Sequence, residues 1–127
     1  MILGIGVDLV EINRIQKILD RYPERFVKKI FSAEELSWLE EKRFTPERVA
    51  ALFAAKEACS KALGTGLRGV SWQEMVIYHE PSGKPGLKLR GKALQKFLAL
   101  GGQNIYLSLS HEKNYALAVV IIEGACL

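Results

Sequence analysis

The stretch Phe53-Ala-Ala-Lys-Glu-Ala-Cys-Ser-Lys-Ala-Leu-Gly-Thr-Gly66 constrains this chain more than any other. It is built from strong helix formers and stops at Gly64, where glycine takes the left-handed conformation that ends helices. Thr45-Pro46 supplies the start, an N-cap followed by proline at the first helical position. The pattern therefore predicts one long helix over about 46–63. Ala54, Ala55, Ala58 and Ala62 would let another backbone or a ligand come close. Lys56, Glu57, Ser60 and Lys61 crowd polar groups among these alanines. Glu57 and Lys61 are four apart and share a face, which by itself describes a solvated pair worth a few tenths of a kcal/mol.

At 127 residues, 49% hydrophobic and 25% charged, the chain is read as a single domain, 1–127, of ordinary globular composition. No apolar run approaches the roughly 18 residues of a membrane span. The N-terminus has no basic n-region and meets Asp8 early, unlike a secretory signal. Cys59 and Cys126 have no metal-ligand spacing and fit reduced thiols of a cytoplasmic protein. A net charge of +4 favours an anionic partner, yet no dense Lys/Arg tract argues for nucleic acid.

Residues 2–10 alternate as a strand. Leu3, Ile5, Val7 and Leu9 lie on one side; Gly4, Gly6, Asp8 and Val10 lie on the other. The glycines are expected to leave open space above Asp8, whose buried carboxylate needs a cation, a donor or water. A helix of about Ile12 to Tyr22 follows, broken at Pro23. Arg14, Lys17 and Arg21 share its polar face, with Arg25, Lys28 and Lys29 beyond. Such a face is either merely solvated or a docking surface for an acidic protein. Ser32-Ala-Glu-Glu35 is a capping box for a helix to about Lys42. Strands around Met75–His79 and Leu87–Leu89 flank the turn cluster Glu80-Pro-Ser-Gly-Lys-Pro85, giving a hairpin. After a helix over 91–100, a half-buried strand from Ile105 should pair antiparallel with Tyr115–Ile122, read as buried on both faces. This order fits an α+β fold with a mostly antiparallel sheet packed with helices.

No nucleophile elbow, H-E-x-x-H or paired C-x-x-C is present. What remains is oxygen ligands and cations beside glycines: Asp8, Glu57, Lys61, Lys84 and His111. Two carboxylates with room for water suit Mg²⁺, which keeps several waters and takes one or two carboxylates plus substrate phosphates. The residues alone thus suggest Mg²⁺-dependent chemistry on a phosphate ester. A Mg²⁺-dependent phosphotransferase, a pyrophosphatase using the same carboxylates, and a non-catalytic basic module binding an acidic protein or nucleic acid all stay open.

Gly4-Ile-Gly-Val-Asp-Leu-Val-Glu-Ile12, the stretch Phe53–Gly66 and Leu107-Ser-Leu-Ser-His-Glu-Lys-Asn-Tyr-Ala116 together resemble the holo-acyl-carrier-protein synthases, the small single-domain 4′-phosphopantetheinyl transferases. The resemblance implies transfer of phosphopantetheine from coenzyme A to a serine of apo-acyl carrier protein, in the service of fatty acid biosynthesis. It implies Asp8 and Glu57 as Mg²⁺ ligands and, with Lys61 near the same phosphates, as the catalytic set. Lys61, Gly64, Thr65, Gly66, Gly83, Lys84, Pro85 and His111 would line the coenzyme A site. Arg14, Arg21 and Arg25 would face the acidic carrier protein. A homotrimer with sites at subunit junctions is implied as well. Where family members often carry arginine just before F-A-A-K-E, this chain has Leu52, so that phosphate contact is either missing or supplied by Lys42, Arg43 or Arg48.

Overall fold

The computed structural model describes residues 1–125; the expectation for Cys126 lies outside them. The chain runs β1 (Ile2–Glu11), α1 (Ile12–Arg21), α2 (Pro23–Ile30), α3 (Ala33–Lys42) and α4 (Pro46–Ala62). A 3₁₀ turn at Trp72–Glu74 precedes β2 (Met75–His79) and β3 (Pro85–Leu89). Then come α5 (Gly91–Ala99), β4 (Gly102–His111) and β5 (Tyr115–Gly124). β5 lies between β1 and β4 in one antiparallel sheet, and β2–β3 form a separate hairpin. The α+β expectation holds, as do the hairpin and the antiparallel pairing of the last two strands.

The long helix α4 is the axis of the molecule. Thr45 caps it by accepting from the Arg48 amide, and Pro46 sits in its first turn. It lies directly on β1, and that contact explains the two glycines. A Cβ on Gly4 would collide with the Ala62 carbonyl, and one on Gly6 with the Ala58 carbonyl. The expected open space above Asp8 is therefore absent: the glycines admit the backbone of α4, and its alanines complete the fit. Ala54, Ala55 and Ala58 are wholly buried. Close approach of this kind brings residues 57 and 61 of the helix up to Asp8 of the strand.

The break expected at Pro23 is present, with α1 ending at Arg21. Pro23 also opens α2, a helix not expected from the sequence, at the N-terminal position where its missing N–H costs nothing. The sheet corrects one further expectation, that β5 is buried on both faces. The buried side of β1 is its glycine side, whereas Ile5, Val7 and Leu9 are 62%, 52% and 62% exposed. β5 likewise buries Ala116, Ala118, Val120 and Ile122 fully, while Leu117, Val119 and Ile121 are only half-buried. Among the described residues the outer face of this sheet is thus apolar and exposed along β1, half-buried along β5. Among the described residues no helix is long and apolar enough to cross a membrane.

Candidate active site

Helix α4 carries two lysines five positions apart, and they make opposite kinds of ion pair. Lys56 is fully buried, and its ammonium meets Glu35 Oε1 at 2.7 Å. It also donates to the carbonyls of Trp72 and Met75, each at 2.8 Å, so all three ammonium donors are used. Glu35 is equally occupied. Oε1 also accepts the Ser32 amide, completing the capping box of α3, and Oε2 accepts the Ile77 amide of β2 at 2.8 Å. This closed network ties α3, α4 and the hairpin together. Neighbouring Cys59 is also buried, and burial pushes its thiol up to about 12, which keeps it protonated and inert.

Lys61 instead emerges at the C-terminal end of α4. It contacts Asp8 Oδ1 at 3.1 Å and donates to the Val7 carbonyl at 3.1 Å. Asp8 Oδ2 is buried with no partner. Glu57, one turn before Lys61, is held above the usual carboxylate range, first by burial and then by the charge of Asp8. Lys61 and Arg14 pull in the other direction. The arrangement is a pair of carboxylates facing one another, one oxygen unsatisfied, with two cations nearby. Such a pair repels unless a cation lies between its members. Among the described residues no group of three His, Cys, Asp or Glu that could hold a metal ion forms; the donor set is oxygen-only and consists of two carboxylates. It therefore fits a hard divalent cation that fills its remaining positions with water and phosphate.

The expected site residues separate into two groups. Asp8, Glu57 and Lys61 come together, with Gly64, Thr65 and Gly66 just beyond in the loop that ends α4. Gly64 and Gly66 take positive φ (81° and 58°). The amides of Thr65 and Gly66 both turn back to the Ser60 carbonyl, so this loop caps the helix and its N–H groups are occupied. Gly83, Pro85 and His111 border a different cavity, of about 310 Å³, together with Arg48 and Leu52. Lys84 is exposed at the hairpin tip between Gly83 and Pro85. Arg48 and Glu57 are nine residues apart, roughly two and a half turns at about 3.6 residues per turn, which puts them on opposite sides of α4. A single chain therefore does not bring His111, Gly83 and Pro85 to its own Asp8–Glu57 pair.

Arg14 and Arg21 are seven apart on the exposed side of α1, and Arg25 is exposed on α2. Leu52 borders the cavity of Gly83 and His111; Arg48, one turn earlier, borders the same cavity, and Lys42 borders its neighbour. Sequence reasoning missed Trp38 and His79, which stack at that cavity with ring centroids 3.9 Å apart. Their separation of 41 positions leaves no periodic signal that could have joined them.

The comparisons with known proteins bear on the family and the fold. The family model of the 4′-phosphopantetheinyl transferase superfamily matches residues 4–120. A holo-[acyl-carrier-protein] synthase of Koribacter versatilis is 45% identical over 97% of this chain and 99% of its own length. The crystal structure of the holo-[acyl-carrier-protein] synthase from Neisseria meningitidis superposes with a TM-score of 0.88 at 38% identity, covering 97% of this chain and 99% of that one. The enzyme of that name from Bacillus anthracis, crystallised in complex with coenzyme A (3′,5′-ADP), gives 0.82 at 36% identity, covering 98% and 99%. Likeness this high, running from the first strand to the last, leads to one conclusion: the chain belongs to the 4′-phosphopantetheinyl transferase superfamily, among its holo-[acyl-carrier-protein] synthases.

Proposed function

We propose that this protein transfers 4′-phosphopantetheine from coenzyme A to a serine hydroxyl of apo-acyl carrier protein, with Mg²⁺ at Asp8 and Glu57. The observation that carries the reading is the Asp8–Glu57 pair, two facing carboxylates with one orphaned oxygen beside Lys61. In the reaction the serine oxygen bonds to the phosphorus bearing pantetheine. The bond from that phosphorus to the bridging pyrophosphate oxygen breaks, adenosine 3′,5′-bisphosphate departs, and the serine proton is released. A bound Mg²⁺ would supply charge neutralisation for the pyrophosphate. Asp8 and Glu57 hold that charge in place, Lys61 adds a cation on the exposed side, and the rigid α4–β1 contact fixes all three.

Gly83, Lys84, Pro85, His111 and Arg48 would hold the nucleotide half of coenzyme A, with Gly64, Thr65 and Gly66 beside the pyrophosphate. Because these halves lie on opposite sides of α4, each complete site would join two subunits of a homotrimer. The bare apolar row of Ile5, Val7 and Leu9 supports that assembly, and so does the half-buried outer side of β5. Arg14, Arg21 and Arg25 would steer the acidic carrier protein and chiefly raise its on-rate. The reading fits a cytoplasmic enzyme of fatty acid biosynthesis.

The test is the mass of apo-acyl carrier protein after incubation with this protein, coenzyme A and Mg²⁺. A gain of one phosphopantetheine, abolished by chelator, supports the reading. No gain across several carriers, from folded protein, would sink it. Release of bisphosphate without any carrier would point instead to a pyrophosphatase.

A further inference from the structure

His79 ends β2 opposite Pro85, so the hairpin register places it at the mouth of the cavity bordered by His111 and Arg48. Its imidazole lies flat on the Trp38 indole of α3, the two planes within 1° of parallel. A second cavity, of about 400 Å³, adjoins the first and shares Trp38, His79 and Gly83 with it. The stacked rings are therefore a wall shared by two neighbouring cavities, with Arg48 lining one and Lys42 the other. Glu47 lines the first cavity, and Glu41 and Glu80 line the second.

The histidine is not there for a hydrogen bond within the fold. Its Nδ1 is closed off from solvent without a partner, a cost that an apolar side chain at 79 would avoid. Burial, and then the charge of Lys42, hold the ring below the usual histidine range, so it presents a neutral planar face. A flat neutral ring backed by an indole, with the cations Arg48 and Lys42 and the carboxylates Glu41, Glu47 and Glu80 around it, suits a planar heteroaromatic base with polar edges, borne on a phosphate chain that the cations can meet.

We infer that the Trp38–His79 stack is the wall against which the purine base of the nucleotide substrate packs, which makes both residues determinants of donor affinity. This rests on the coenzyme A reading above and adds to it two residues that contribute planar contact and no charge. His79 touches the leaving half of the donor only, so it acts on binding and not on the bond that breaks.

The experiment compares two probes by calorimetry: adenosine 3′,5′-bisphosphate and its abasic analogue, tetrahydrofuran 3′,5′-bisphosphate. Against wild type, His79→Ala should weaken the adenosine compound about tenfold or more, the scale of base–aromatic stacking, and leave the abasic compound unchanged. His79→Phe, which keeps a flat ring and removes both nitrogens, should restore most of the loss. In turnover, His79→Ala should raise KM for coenzyme A with kcat intact. Unaltered adenosine affinity in His79→Ala, or an equal loss for both probes, would overturn the inference while the coenzyme A reading stands. Wild type binding neither probe nor coenzyme A would overturn that reading itself.

Discussion

Lys56 and Lys61 sit five positions apart on one helix, and each faces a carboxylate from another element. Around Lys56 every donor and acceptor is used: three acceptors for the ammonium, two amides and the lysine for Glu35. Around Lys61 the count stays open, because Asp8 Oδ2 has no partner and Glu57 is left facing a like charge. A saturated buried pair fixes elements relative to one another, and removing either member strands a charge. An unsaturated pair at the edge of solvent holds little stability but offers a place for a cation and a phosphate. The motif Lys56-Glu57 thus places a structural residue and a chemical one side by side, pointing different ways.

The largest effect expected from breaking this contrast is on the closed side. Lys56→Met should cost about 3–5 kcal/mol of stability by leaving Glu35 buried and unpaired, read as a drop in Tm of several degrees per kcal/mol or less. At low temperature, where the variant is still folded, transfer should stay within a few-fold of wild type. A hundredfold loss there would show that Lys56 belongs to the chemistry and would dissolve the distinction. On the open side, Glu57→Ala should reverse the pattern. Transfer should fall about a hundredfold or more, with Tm equal to or above that of wild type.

A smaller effect follows from the raised Glu57 carboxyl. The folded protein holds this proton more tightly than the unfolded chain does, so the native state binds more protons between the ordinary and the raised carboxyl pKa. Stability contributed by the protonated form is then lost as pH rises through that window. Metal-free Glu57→Gln should accordingly melt above metal-free wild type at pH 7, and the two should converge near pH 4. Saturating Mg²⁺, at about 100 times its Kd, should raise wild-type stability by about 2.7 kcal/mol and leave the glutamine variant unmoved. Smallest of all, Lys61→Ala should alter stability by about 1 kcal/mol or less, as expected of a half-exposed pair. Its transfer rate should nevertheless fall, which a purely solvated pair would not do.

Much of the fold was legible because its signals are local. The capping box at Ser32 and Glu35, the Thr45-Pro46 start, the stop at Gly64 and the hairpin glycines each depend on neighbours within a few positions. Asp8 and Glu57 could be paired in advance by motif resemblance, and the Gly4/Gly6 row marked the strand face that α4 covers. The same glycines were misread as open space, because periodicity says which residues share a face and not what lies above them. Helix α2 went unread for a related reason: a proline that stops one helix and one that starts the next look alike in sequence.

By itself the sequence determined the elements other than α2 and the 3₁₀ turn, their α+β order and the residue types of the candidate site, since capping, turn chemistry and periodicity act over short distances. Only the tertiary structure decided that Lys56 points inward to Glu35 while Lys61 points out to Asp8. It also set Trp38 on His79, bared the outer side of β1, and put Arg48 and Glu57 on opposite sides of α4. These outcomes depend on what packs against each face, and that is fixed by contacts between segments distant in the chain.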